Sequence, residues 1–232
     1  MQRIKLRQAG WLDRWQSLSG AILAGFLFIH LHLESSILLG KDAFYKVARM
    51  LEAGFLDPSG HGYPSVIVVF GLGLFAVLMV HAIAAIRRFP TKYKQWKILK
   101  EFSKTVPQRE TNLWQLQLVS GFVLFFLVPV HLLGIVMNPG SIDPNLSAFR
   151  IVEQGFGFLY MALLPVAVIH ALIGVYRLAM KWFGDKLPRE KIFKGATVVT
   201  CWLILLGTTS LIVWYYTGIT SLPTPLTPYS PL

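Results

Sequence analysis

Five stretches of this chain are long and apolar enough to cross a bilayer, and that limits its fold more than any other feature. At about 1.5 Å per helical residue, about 20 residues span the ~30 Å hydrocarbon layer. Segments 15–40, 62–88, 111–138, 153–180 and 194–218 all qualify. Each ends in a change of composition. Gly40-Lys41-Asp42 closes the first, Arg87-Arg88-Phe89-Pro90 the second and Asn138-Pro139-Gly140 the third. The stretch from Arg177 to Lys181 closes the fourth, and the fifth runs into a tail holding Pro223, Pro225, Pro228 and Pro231. That tail cannot be helical. With 54% hydrophobic and 14% charged residues there is no room for a soluble domain beside the spans. We expect one integral membrane domain over residues 1–232. The basic N-terminus precedes no short apolar stretch with a small-residue cleavage site, so it does not read as a removable signal peptide.

The net charge of +11 invites a nucleic-acid reading, but its distribution argues against one. Lysines and arginines number 4 before the first span, 8 in residues 87–109 and 6 in residues 177–194, against 4 on the other side. This alternation is a positive-inside signal. It places the N-terminus in the cytoplasm and the proline-rich tail outside, and it leaves a basic inner face for a soluble partner. Residues 42–56 carry Phe44, Val47, Ala48, Leu51 and Phe55 at helical spacing, which predicts an amphipathic helix on the outer face. The lone cysteine, Cys201, rules out an internal disulfide and any Cys-x-x-Cys motif; it reads as a small buried side chain.

Ionisable side chains inside a membrane are costly and usually functional. His30 lies ten residues before Gly40 and His131 eight before Pro139, in spans that run outward, so both sit in the outer half. His81 lies six residues before Arg87 and His170 seven before Arg177, in spans that run inward, so both sit in the inner half. Four helices thus offer two pairs of imidazoles at matched depths, about 15 Å apart along the membrane normal. Two facing imidazoles at one level suit a bis-histidine haem. Without Cys-x-x-Cys-His such haems are b-type. The fold class expected is an all-α membrane protein with five transmembrane helices, a haem-binding four-helix bundle plus one additional helix. Arg87 and Arg177 stand where haem propionates would emerge. Gly20, Gly71 and Gly121 each precede a histidine by ten residues and admit either a porphyrin edge or ordinary helix packing. His32 points away from His30, and His61 lies at the outer end of the second span; neither is expected to bind iron.

Several local blocks, in order and at matching spacing, resemble the dihaem cytochrome b subunit of menaquinol:fumarate reductases, in the succinate:quinone oxidoreductase superfamily. They include Gln16-Ser17-Leu18-Ser19-Gly20, Ser35-Ser36-Ile37-Leu38-Leu39-Gly40, Phe75-Ala76-Val77 and Arg87-Arg88-Phe89-Pro90. Leu113-Trp114, Gly121-Phe122, Phe126-Leu127, Tyr176-Arg177-Leu178-Ala179 and Lys181-Trp182 continue the series. The likeness covers about residues 11–218.

The resemblance implies that His81 and His170 bind an inner haem b, and His30 and His131 an outer one. It implies propionate contacts at Gln16, Ser17, Trp114 and Lys181. It implies that Glu52 takes part in menaquinol oxidation, although the residue alone reads as an exposed position on the outer helix. A glutamate that the best-known branch carries two residues before its fourth histidine is Val168 here, which cannot move a proton. Glu34, one turn past His30, is a second outer carboxylate. The implied partners are an iron–sulfur subunit and a flavoprotein subunit, with the bilayer and a quinone, and an assembly as a dimer of heterotrimers. The implied location is the bacterial cytoplasmic (inner) membrane with a periplasmic C-terminus. Two rivals stay open: a succinate:menaquinone reductase, which is the same machine reversed, and a transporter with intramembrane histidines.

Overall fold

The computed structural model describes residues 2–90, 92–105 and 109–231, in which every regular element is a helix and there is no strand. Five helices are long and apolar enough to cross a membrane. They are α1 (Gln2–Glu34), α3 (Pro64–Ile86), α5 (Arg109–Val136), α7 (Phe156–Phe183) and α8 (Arg189–Thr220). α1, α3, α5 and α7 form a closed ring, with contacts α1–α3, α3–α5, α5–α7 and α7–α1. α8 lies outside the ring, against α7 and α1. The architecture is therefore a four-helix bundle with one additional helix. Most large apolar side chains on the bundle's outside are exposed, as lipid contact requires. Cys201 is among the exposed residues of α8, so the buried reading of that thiol is corrected. A residue beside lipid needs no protein neighbour to satisfy its apolar surface.

Helix ends differ from the apolar boundaries because backbone hydrogen bonding continues past the hydrocarbon layer. α1 begins at Gln2 and α8 at Arg189, both ahead of their apolar runs. Two further helices are not legible as apolar runs: α4 (Tyr93–Thr105), at the basic end of the bundle that the charge pattern makes the expected inner one, and α6 (Pro144–Val152), at the opposite, expected outer end. α6 has a strong start. The Asp143 carboxylate accepts from the Asn145 and Leu146 amides at 2.8 and 3.1 Å, and Pro144 opens the first turn.

The outer amphipathic segment is α2 (Lys41–Leu51), which stops short of the expected residue 56. Ala53 takes a left-handed backbone (φ 56°), and a short 3-10 turn follows at Gly54–Leu56. α2 buries Phe44 and Ala48 in a plug shared with Ile37, Ala148, Ile151 and Trp214, which closes the outer end of the bundle. The tail folds back over this plug. The Tyr229 amide donates to Asp143 at 2.9 Å, and Asn145 Nδ2 donates to the Thr227 carbonyl at 3.1 Å.

Candidate dihaem site

Inside the four-helix ring runs one continuous cavity of about 1500 Å³. A pocket for one small ligand is typically about 300–1,000 Å³. The walls carry all four intramembrane histidines, with Gln16, Ser17, Trp114 and Lys181 at the inner end and Glu34, Arg150 and Tyr160 at the outer end.

The imidazoles meet two by two across this space. His81 on α3 faces His170 on α7 with ring centroids 6.4 Å apart and planes crossed at 85°. His30 on α1 faces His131 on α5 at 6.1 Å and 51°. Two metal–imidazole bonds of about 2 Å, each extended about 1 Å to a ring centre, put two centroids about 6 Å apart. Among the described residues no group of three or more His, Cys, Asp or Glu side chains converges. A bare ion held by two imidazoles would be under-coordinated. A tetrapyrrole supplies four nitrogens of its own, so the two imidazoles of either pair would suffice to hold its metal.

The inner pair is held from behind. Ser19 Oγ lies 3.2 Å from His81 Nδ1. Ser120 Oγ and the Gln117 carbonyl lie 3.0 and 3.1 Å from His170 Nδ1. Around the rim, Lys181 Nζ reaches Ser17 Oγ at 3.5 Å, and Gln16 Oε1 is buried with no partner. The Lys181, Ser17 and Trp114 donors suit carboxylates entering from the cavity. Arg177 lines the cavity and donates to Gln117 Oε1 at 2.7 Å. Arg87 does not line it. Arg87 and Arg88 both pair with Asp13, so Arg87 is committed to an ion pair rather than left for a propionate.

The outer pair is packed differently. Phe26 stacks on His30 at 5.1 Å, and Tyr160 meets His131 edge-on at 5.4 Å. His131 Nδ1 is buried without a partner. Arg150 is only 6% exposed; its Nη2 donates to the Ser141 carbonyl at 2.8 Å, while its Nη1 is buried without a partner. A buried guanidinium with an unmet donor on a cavity wall is suited to an anionic group inside that cavity.

A family model described as the succinate dehydrogenase/fumarate reductase transmembrane subunit matches residues 94–209. The chain is 40% identical over 197 residues to a fumarate reductase cytochrome b subunit of Helicobacter pylori (strain ATCC 700392 / 26695), covering 84% of this chain and 76% of that one. It is 36% identical over 211 residues to the fumarate reductase cytochrome b subunit of Wolinella succinogenes, covering 89% and 82%. This chain belongs to the succinate dehydrogenase/fumarate reductase transmembrane subunit family.

In this transmembrane subunit Glu52 is wholly buried, at 0% exposure, which corrects the exposed reading of the residue. The buried stripe of α2 runs Phe44–Ala48 and continues to Glu52, at spacing four, while Leu51 and Phe55 are exposed. Arg49 grips the carboxylate: Nη2 donates to Oε1 at 3.1 Å, and Nη1 lies 2.5 Å from Oε2. The loop closes tightly here, because a Cβ on Gly62 would stand 2.8 Å from Glu52 Cβ. Burial pushes the Glu52 carboxyl above its ordinary range and Asp143 adds to this, while Arg49 opposes it. Glu34 lines the cavity; Glu52 is not among the lining residues, although its neighbour Leu51 is.

The remaining histidines have other work. His32 Nδ1 donates to the Phe28 carbonyl at 2.7 Å, and its Nε2 accepts from Trp202 Nε1 at 3.1 Å, so both nitrogens are occupied. His61 is exposed and bonds Ser59 Oγ at 3.1 Å. Gly20 and Gly121 back onto the His81 and His170 rings, whereas Gly71 faces Val136. The sequence alone does not mark Arg150, Tyr160, Ser19 or Ser120 as site residues. The available signal was a basic residue and a tyrosine near His131 depth, and two serines beside glycines at the inner histidine level.

Proposed function

We propose that this chain is the membrane anchor and dihaem electron-transfer subunit of a quinol:fumarate reductase; its relatives carry the name fumarate reductase cytochrome b subunit. The reading rests on one observation: two imidazole pairs at haem-like separation share one cavity that spans the bundle. Bound there, two b-type haems would supply a one-electron relay between menaquinol at the outer end and an iron–sulfur subunit at the inner end. His81 and His170 hold the inner group, and His30 and His131 the outer. Ser17, Trp114 and Lys181, with Gln16, meet carboxylates at the inner rim. Arg150 and Tyr160 do so at the outer level.

Quinol oxidation releases protons that need an acceptor in the outer cap. We assign that role to Glu52, whose carboxyl is raised toward the protonated form by burial and held in place by Arg49. The basic inner face receives the iron–sulfur subunit, which in turn carries the flavoprotein that reduces fumarate. The chain functions as one integral domain of the bacterial cytoplasmic membrane, with its N-terminus inside. Val168, at 0% exposure, packs with Leu172 and Leu203, so this part of the bundle offers no proton carrier.

The test is quinol-dependent fumarate reduction by the assembled complex. Glu52→Gln should abolish it with both haem spectra intact, and Glu34→Gln should leave most of it. Full activity in Glu52→Gln with loss in Glu34→Gln would move the proton acceptor to the cavity wall.

A further inference from the structure

A five-residue pattern occurs twice in the bundle: Gln16-Ser17-Leu18-Ser19-Gly20 on α1 and Gln117-Leu118-Val119-Ser120-Gly121 on α5. Each copy of Gln-x-x-Ser-Gly receives one imidazole from a neighbouring helix. His81 lies on the first copy and His170 on the second. The glycines clear the space, because a Cβ on Gly20 or Gly121 would stand 3.0 Å from Cε1 of its histidine. The serines meet Nδ1 at 3.2 and 3.0 Å. On α5 the glutamine backbone adds a second bond, the Gln117 carbonyl lying 3.1 Å from His170 Nδ1.

The partners fix the tautomer. A carbonyl only accepts, so His170 Nδ1 carries the proton. Ser19 donates its single hydroxyl proton to the Trp15 carbonyl at 2.6 Å, so toward His81 it accepts. Both rings therefore hold a proton on Nδ1 and leave Nε2 bare, and their planes cross at 85°. The outer pair has no such anchor at His131, whose Nδ1 is unpartnered, and its planes cross at 51°.

We infer that Gln-x-x-Ser-Gly is a repeated imidazole dock, in which Ser19 and Ser120 are positioning residues that set the tautomer, ring angle and donor strength of the inner pair. This rests on the dihaem reading above. A hydrogen bond accepted from the far ring nitrogen makes an imidazole a stronger donor, and a stronger donor favours the oxidised metal. The dock thus lowers the inner site's midpoint potential relative to an unanchored pair and leaves the outer site alone.

The experiment uses the assembled complex with Ser19→Ala, Ser120→Ala, the double variant and a Ser→Thr pair. Redox titration resolves the two sites. The low-spin ferric EPR signal reports the angle between axial imidazole planes. The double alanine variant should raise the inner midpoint and shift the crossed-plane EPR signal, with the outer site unmoved and threonine restoring both. Selective loss of the inner haem also supports the dock. If both haems are lost in the double variant, the single variants decide by the same two readouts. Two retained haems with unmoved potential and EPR signal, or equal shifts at both sites, overturn the inference. A wild-type complex without haem absorption removes the dihaem reading itself, and the dock with it.

Discussion

Replacing Arg49 with methionine separates a structural charge from a functional one. The guanidinium is the partner of a carboxylate with 0% exposure, and it also donates to the His61 carbonyl at 2.7 Å and the Ile142 carbonyl at 2.9 Å. Breaking a buried ion pair by removing one partner costs about 3–5 kcal/mol when the other charge is stranded. Glu52 has an escape, because its carboxyl is already raised by burial and can take up a proton. Once it is neutral, the loss falls to the missing hydrogen bonds, each worth about 1 kcal/mol. The penalty should therefore be large at pH 8 and fall toward about 1–3 kcal/mol near pH 5. The sign follows from linkage. A carboxyl whose folded pKa exceeds its unfolded value binds more protons when folded, so stability declines as pH rises through that interval. Glu52→Gln should abolish this slope, and the Arg49→Met/Glu52→Gln pair should recover the pH-dependent part of the loss. Denaturant unfolding of the detergent-solubilised complex at the two pH values is the assay. An equal loss at both, or a slope that survives in the Gln variant, refutes the reasoning.

Gly121→Val and Gly20→Val push a side chain into an imidazole that even a lone Cβ would meet at 3.0 Å, and overpacking of this kind costs about 1–3 kcal/mol; absorption spectra should show loss or distortion of the inner haem alone. His32→Ala should retain both haems, because both nitrogens of that ring are occupied by Phe28 and Trp202; loss of a haem would show that the residue reaches a ligand role. Since Val168 lies in an apolar cluster, quinol–fumarate turnover in proteoliposomes should build an ionophore-sensitive potential, outside positive; a voltage-silent turnover would require a proton route elsewhere in the bundle.

The depth of each histidine was legible because helical rise turns sequence distance into height. The rotation of each helix about its axis was not. That is why Glu52 reads as exposed from sequence: Leu51 and Phe55 suggest one apolar face, whereas the buried stripe is Phe44, Ala48 and Glu52, set by docking against Trp214 and its neighbours. Arg87 has the right height for a carboxylate at the rim, yet Asp13 on α1 claims it, a pairing across 74 residues that no local pattern announces. The α4 helix is amphipathic rather than apolar: Tyr93, Trp96 and Leu99 recur at spacing three among lysines, a pattern that a search for membrane spans passes over. The two Gln-x-x-Ser-Gly segments were visible as letters, but their purpose appears only when each is seen against the ring it supports.

The most direct measurement is haem content and reduced absorption of the purified complex, for wild type and for alanine at each of the four histidines. Two low-spin b haems per chain are expected. Alanine at either residue 81 or 170 should remove one and the same band, and alanine at either residue 30 or 131 the other. A haem-free wild type, or losses that group the histidines in another combination, would contradict the account.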